Sequence, residues 1–453
     1  MADEATTEEA SSSPDLLMEL LSSEELTADT VDLRPSTFAS SDIRKVLLPL
    51  MTNLSVRVLY LPMDRIDLVC AKTITMMTTK NVGPPFEELH LSNLPSEEHT
   101  ESEPSRKIAS MIISSLKQNK HIKKLHITSQ DVLHQSIPSS IASILYDNTV
   151  LASLNLRGCG ISHAGATKIS CALASNASIT VLDLSNNPLG NAGICSVALA
   201  LELNSTIQKL KLSGTDIGRE GGEAMVEALA VNKSLEVLDM SRNSLDDVVV
   251  TKLARSLKLN KSLRQLSLRS NSFSTIGALC LSLALYDPKN LQTVLDCNHT
   301  IQFLDIDSNQ LSSECIMHTN KPLRWNALSS TENETIRKKV SAFLLESESN
   351  YLSFRDYFEG TTTIQHLLPN VLGCIPVRGS MNENSTVMYY LVKNLAVHSI
   401  TATSCPGAPS VVKSSSDSMF STDDKCNECA KDDNTCAVPE FVNVNHGQDV
   451  NNN

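Results

Sequence analysis

From position 179 the apolar residues repeat at a fixed step. Ile179-x-x-Leu182-x-Leu184-x-x-Asn187-x-Leu189 recurs 28 positions later as Ile207-x-x-Leu210-x-Leu212-x-x-Thr215-x-Ile217. The pattern returns from Leu235 to Leu245, with Met240 inside it, and from Leu263 to Phe273. Each unit reads as a strand, a loop and a helix of two to four turns. A piece of that size buries its apolar side only against its neighbours, so a constant period predicts a stack of coils.

The pattern extends both ways. Leu151/Leu154/Leu156, Ile122/Leu125/Ile127, Phe86/Leu89/Leu91, Val56/Leu59/Leu61 and a degenerate Val31/Leu33 precede it, and Ile301/Leu304/Ile306 follows. Coil starts fall near 28, 56, 86, 122, 151, 179, 207, 235, 263 and 301, which makes about ten coils. A second register supports the alignment without using leucine. Asn53, Asn119, Asn148, Asn176, Asn204, Asn232, Asn260 and Asn298 each lie three residues before a strand's first apolar position, and Gly83 fills the slot once. Asn and Gly tolerate the left-handed backbone best, so these positions are expected to end each helix in that conformation.

The L-x-x-L-x-L-x-x-N-x-L run from Leu235 to Leu245, after the Ala/Leu-rich helix Glu223–Leu229 that ends at Asn232, resembles the leucine-rich repeat family in its ribonuclease-inhibitor-like subtype. The resemblance covers roughly 28–318. It implies an α/β solenoid, or horseshoe, with a parallel β-sheet on the concave face and α-helices on the convex face. Such a repeat serves many partners, so the resemblance sets architecture and not function.

Around the repeats the chain divides further. Residues 1–27 form an acidic leader with eight carboxylates and no Lys or Arg. Its Leu16-Leu17-Met18 and Leu20-Leu21 stripe reads as a short helix over the first coil; a partner-docking motif and disorder are the alternatives. The step from 86 to 122 carries the acidic insertion Ser96–Glu103, an edge loop that offers carboxylates to a basic surface or is simply solvated. Pro288 should break a helix in the step from 263 to 301, with a second short helix resuming after it. Helices over Glu332–Glu346, Thr363–Cys374 and Ser385–Val397 place a C-terminal helical cap in 319–397. The Ser/Asp/Asn-rich tail, 398–453, is expected to be disordered.

Charge and cysteines narrow the class. A net charge of −13 argues against nucleic acid as the partner. No stretch of 18 apolar residues is present and the start lacks a basic segment, so neither a membrane span nor a secretory signal is expected. Cys70, Cys159, Cys171, Cys195, Cys280, Cys297, Cys315 and Cys374 fall at apolar positions and read as buried free thiols in a reducing compartment, cytoplasmic or nuclear. The sequons at Asn176, Asn204, Asn232 and Asn260 are by-products of the repeat asparagine. Cys426-x-x-Cys429 with Cys436 and Cys405 offers one compact thiolate pair, too little for a metal assignment.

The residues between the strand leucines give the candidate binding face. One column reads His126, Asn155, Asp183, Lys211, Asp239, Ser267 and Asp305. The next reads Thr128, Arg157, Ser185, Ser213, Ser241, Arg269 and Asp307, with Arg242 one position on. Mixed charge from Asn155, Arg157, Asp183, Lys211, Asp239, Arg242, Arg269, Asp305 and Asp307 suits a protein partner. No aromatic patch is evident on this face, and His126 reads as a surface residue. Asn187, Asn243, Asn271 and Asn309, with Cys159 and Thr215 in the same slot, read as a structural ladder at the strand exit.

Phosphate-loop, zinc-protease and nucleophile-elbow motifs are missing, so neither catalysis nor a cofactor is expected. The sequence thus points to a monomeric, non-catalytic scaffold that holds a protein partner. The resemblance leaves two other functions open: a GTPase activator similar to the Ran-activating proteins, and a ubiquitin-ligase substrate receptor.

Overall fold

The computed structural model describes residues 17–18, 29–35, 37–80, 85–93, 103–128, 136–311 and 313–348. All lie in the first of two units into which the chain divides, Met1–Val397. Within them strands and helices alternate. The strands are β1 (Thr30–Asp32), β2 (Val58–Pro62), β3 (Glu88–Ser92), β4 (Lys124–Ile127), β5 (Ser153–Asn155), β6 (Val181–Asp183), β7 (Lys209–Lys211), β8 (Val237–Asp239), β9 (Gln265–Ser267) and β10 (Phe303–Asp305). They form one ten-stranded parallel sheet in sequence order. Register follows the repeat: Leu154, Leu182, Leu210, Leu238 and Leu266 pair in line, and all are buried.

One helix follows nearly every strand: α1 (Ser40–Leu50), α2 (Leu68–Lys80), α3 (Glu103–Ser115), α4 (Ser136–Asp147), α5 (His163–Leu173), α6 (Gly190–Leu203), α7 (Arg219–Val231), α8 (Asp247–Leu259) and α9 (Thr275–Leu285). Each buries a stripe three and four residues apart, as α7 does with Gly221, Gly222, Met225, Val226, Ala228 and Leu229. Strand leucines and helix stripes close one continuous core that runs from Leu17 to Leu323. The helix stripes face the strand leucines, and among the described residues no helix covers the opposite face of the sheet. At the long step, α9 stops at Leu285 before Pro288 and α10 (Leu291–Leu295) resumes, because proline removes a donor and clashes with the preceding turn.

The repeat asparagines do something other than expected. Asn119, Asn204, Asn232 and Asn260 have extended backbones, with φ between −67° and −82°. Their work is done by the side chain. Asn204 Oδ1 accepts from the backbone N–H groups of Thr206 and Ile207, both at 2.9 Å. Its Nδ2 donates back to Leu173 O at 2.7 Å and Asn176 O at 2.8 Å in the preceding coil. Asn148, Asn176, Asn232, Asn260 and Asn298 repeat this arrangement. The two amide hydrogens and two lone-pair sites of a short side chain are thereby all used. Asn176, Asn204, Asn232 and Asn260 are also buried, which leaves no free nitrogen for a glycan.

The left-handed residue exists, but at the strand exit. Gly158, Asn186, Gly214, Arg242, Ser270 and Ser308 have φ between 54° and 65°. This turn keeps the backbone N–H aimed at the next coil: Asn186 N–H donates to Ser213 O at 2.7 Å and Arg242 N–H to Arg269 O at 2.8 Å. One residue later, Asn187 Nδ2 donates to Leu156 O and Leu184 O, while its Oδ1 accepts from Cys159 and Ile161 N–H. Asn243, Asn271 and Asn309 bridge coils in the same way.

Two final helices, α11 (Ser313–Ala327) and α12 (Glu332–Glu348), close the last coil. Lys339 of α12 is fully buried. Its Nζ donates to Leu285 O at 2.7 Å and Asn298 O at 2.6 Å, with His299 Nδ1 at 3.2 Å. Asn298 takes the corresponding carbonyls of Leu257 and Asn260, so Lys339 supplies the donor that a further repeat asparagine would bring. The helices expected over 363–374 and 385–397, residues 96–102 of the insertion and the cysteines of the tail lie outside the described residues, while Glu103, the insertion's last residue, opens α3. Cys70, Cys159 and Cys297 are buried, whereas Cys195 and Cys280 are half-buried and Cys171 is exposed on α5, which corrects the reading of all these thiols as interior.

Candidate functional site

The uncovered face of the sheet carries three side-chain columns, because each strand leucine is flanked by two outward residues and the exit adds a third. Register places Asp32, Tyr60, His90, His126, Asn155, Asp183, Lys211, Asp239, Ser267 and Asp305 in one row. A second row, not read from the sequence, runs Val58, Glu88, Lys124, Ser153, Val181, Lys209, Val237, Gln265 and Phe303. Its signal was present one position before each inner leucine.

At the N-terminal end the row is aromatic, contrary to the expectation of a face without an aromatic patch. The Tyr60 and His90 rings stack at 4.0 Å, and His90 and His126 at 4.3 Å. Arg34 lies over the outer face of Tyr60 at 4.1 Å and is itself held by Asp32 through paired bonds of 2.9 and 2.7 Å. Parallel strands about 4.8 Å apart put equivalent side chains at stacking distance, so three planar residues in register must form a pile. His126 is therefore half-buried within a stack. Burial pushes the His90 imidazole down to about 4, with the neighbouring His126 adding to the effect. Burial likewise lowers His126. Glu88 stays below the usual carboxylate range chiefly through its bond with Lys124.

Further along, several carboxylates are occupied at home. Asp183 Oδ1 accepts from Ser185 N–H at 3.0 Å, Asp239 Oδ1 from Ser241 N–H at 2.9 Å and Asp305 Oδ1 from Asp307 N–H at 3.1 Å. Asn155 Oδ1 does the same for Arg157 N–H at 3.0 Å. These side chains shape the turn that leaves each strand. Asp183 is buried and lies 3.4 Å from Lys211 Nζ. Ser241 Oγ joins Asp239 to Ser267 Oγ at 2.7 Å, and Ser267 reaches Asp305 at 3.4 Å. The cations differ: Arg157, Lys209, Lys211, Arg242 and Arg269 are exposed, with Asp307 3.9 Å from Arg269.

The comparison with family models agrees with the architecture. A leucine-rich repeat family model matches residues 147–170, 175–198, 203–226 and 231–254, four consecutive coils of this sheet. The described unit is thus an α/β solenoid of leucine-rich repeats. A tropomodulin C-terminal domain from Caenorhabditis elegans is similar at 16% identity, covering 42% of this chain and 92% of that one with a TM-score of 0.28. Leiomodin-1 actin-binding site 2 is similar at 13% identity, covering 48% of this chain and 96% of that one with a TM-score of 0.27. No curated protein matches the sequence. Among the described residues no helix is long and apolar enough to cross a membrane.

Proposed function

We propose that this chain is a non-catalytic scaffold that binds a protein partner on the uncovered face of its sheet, and that the partner presents carboxylates there. The supporting observation is the contrast between occupied anions and exposed cations: Asp183, Asp239 and Asp305 are turned into their own turns, while Arg157, Lys209, Lys211, Arg242 and Arg269 project from the same face. The 28-residue coils with multi-turn helices favour the ribonuclease-inhibitor-like subtype. The cysteines at apolar positions of the coils, such as buried Cys70 and Cys297, fit a reducing, cytoplasmic setting. Repeats over 28–318, a cap over 319–397 and flanking segments 1–27 and 398–453 complete the proposed organisation.

The test is charge reversal at Arg157→Glu, Lys209→Glu and Arg269→Glu together, three exposed positions whose side chains hold no turn. Affinity capture followed by titration with the isolated partner should show binding weakened at least about tenfold, as expected for losing several exposed ion pairs of up to ~1 kcal/mol each. The thermal midpoint should stay unchanged. Affinity of the triple variant equal to that of the parent chain at low salt would sink the reading.

A further inference from the structure

Glu88, His90 and His126 occupy neighbouring positions on β3 and β4, and their ligand atoms all lie within 4.8 Å of one another. His90 Nε2 stands 3.8 Å from Glu88 Oε2. It is also buried without a hydrogen-bond partner among the described residues, an expensive condition for an imidazole nitrogen. We propose that these three side chains bind one divalent transition-metal ion, of the zinc type, on the uncovered face of the sheet.

Two imidazoles and one carboxylate make a familiar donor set for zinc, with a fourth position left to water. Zinc ligands at 2.0–2.2 Å stand about 3.3–3.5 Å apart, so the three atoms must close in by about 1 Å. That movement tilts the His90 and His126 rings out of their stack, which the open face allows. Lys124 now neutralises Glu88; the ion takes over that role and displaces it. Asn155 Nδ2 lies 3.4 Å from His126 Nδ1. Metal binding through Nε2 leaves the proton on Nδ1, so the Asn155 amide must turn its Oδ1 from Arg157 N–H toward the ring to serve as the outer acceptor.

The experiment is a titration of the full chain with Co²⁺, followed by its visible ligand-field bands and by calorimetry. The four tail cysteines Cys405, Cys426, Cys429 and Cys436 are replaced by Ser so that no thiolate competes there. One equivalent should bind with bands of a nitrogen and oxygen site. His90→Ala and His126→Ala should each weaken binding at least 100-fold, while Lys124→Ala should strengthen it. The histidine Cε1 proton resonances of a Zn²⁺ titration give a second readout if a variant is poorly folded. No binding by the parent chain, or binding that both histidine substitutions leave unchanged, would overturn the proposal.

Discussion

An asparagine amide is short, neutral and equipped with two donors and two acceptor sites, and the buried corner of each coil uses them all. Asn232 takes Leu201 O and Asn204 O at 2.7 and 3.0 Å and serves Ser234 and Leu235 N–H at 3.0 and 2.8 Å. Asn232→Ala should therefore strand four backbone groups, two of them facing the preceding coil. We expect a loss of about 2–4 kcal/mol in denaturant unfolding, the scale of unsatisfied buried polar groups. Asn232→Asp should be nearly as harmful, because a carboxylate keeps the acceptors and turns them on two carbonyls. The asparagine register was plain in the sequence, but its mechanism was not. Both a left-handed backbone and a bridging side chain select Asn, and only coordinates separate the two.

Among the elements, helix approach is set by small residues and by capping from the neighbouring coil. Asp247 of α8 accepts from Ser274 and Gly277 N–H, both at 2.9 Å, and so caps the start of α9. Asn191 of α6 accepts from Gly218 N–H at 2.8 Å and does this for α7. A Cβ on Gly222 would sit 2.8 Å from both Leu245 Cδ2 and Val249 Cγ1. Gly222→Ala should cost about 1–3 kcal/mol through overpacking, despite the better helix propensity of alanine. Thermal unfolding of that variant beside Ala230→Gly, an exposed position of the same helix that tests propensity, checks this. Strand and helix order was legible because leucine spacing is a property of each unit alone. The aromatic stack went unread because the column was taken only from His126 onward, although the coil starts at 56, 86 and 122 put Tyr60, His90 and His126 at one offset.

At the scale of the whole described unit, the array must end without exposing its core, and α11 and α12 achieve that. Burial pushes Lys339 down to about 7. His299 falls to about 3 through burial and the adjacent Lys339. Native His299 thus stays neutral between about 3 and its ordinary 6.5, a range in which the unfolded chain takes up a proton. Stability from His299 is complete above 6.5 and is lost as pH falls toward 3, while Lys339, lowered from its ordinary 10.5, adds a separate rise between about 7 and 10.5. A series of thermal midpoints from pH 7 to 4 should decline, and His299→Gln should flatten part of the slope. An unchanged slope would show that the site stays shut against protons by other means.

Lys339 also fixes how many coils there can be. Its amine reaches in from a helix and occupies the one pair of carbonyls through which a newcomer would attach. Duplicating a 28-residue unit between Leu151 and Leu263 would leave that stopper in place, since each coil there hands on the same bonds it receives. A unit appended after Asn298 would have to evict the lysine first. Expansion of this array is thereby steered toward its middle and barred at its end.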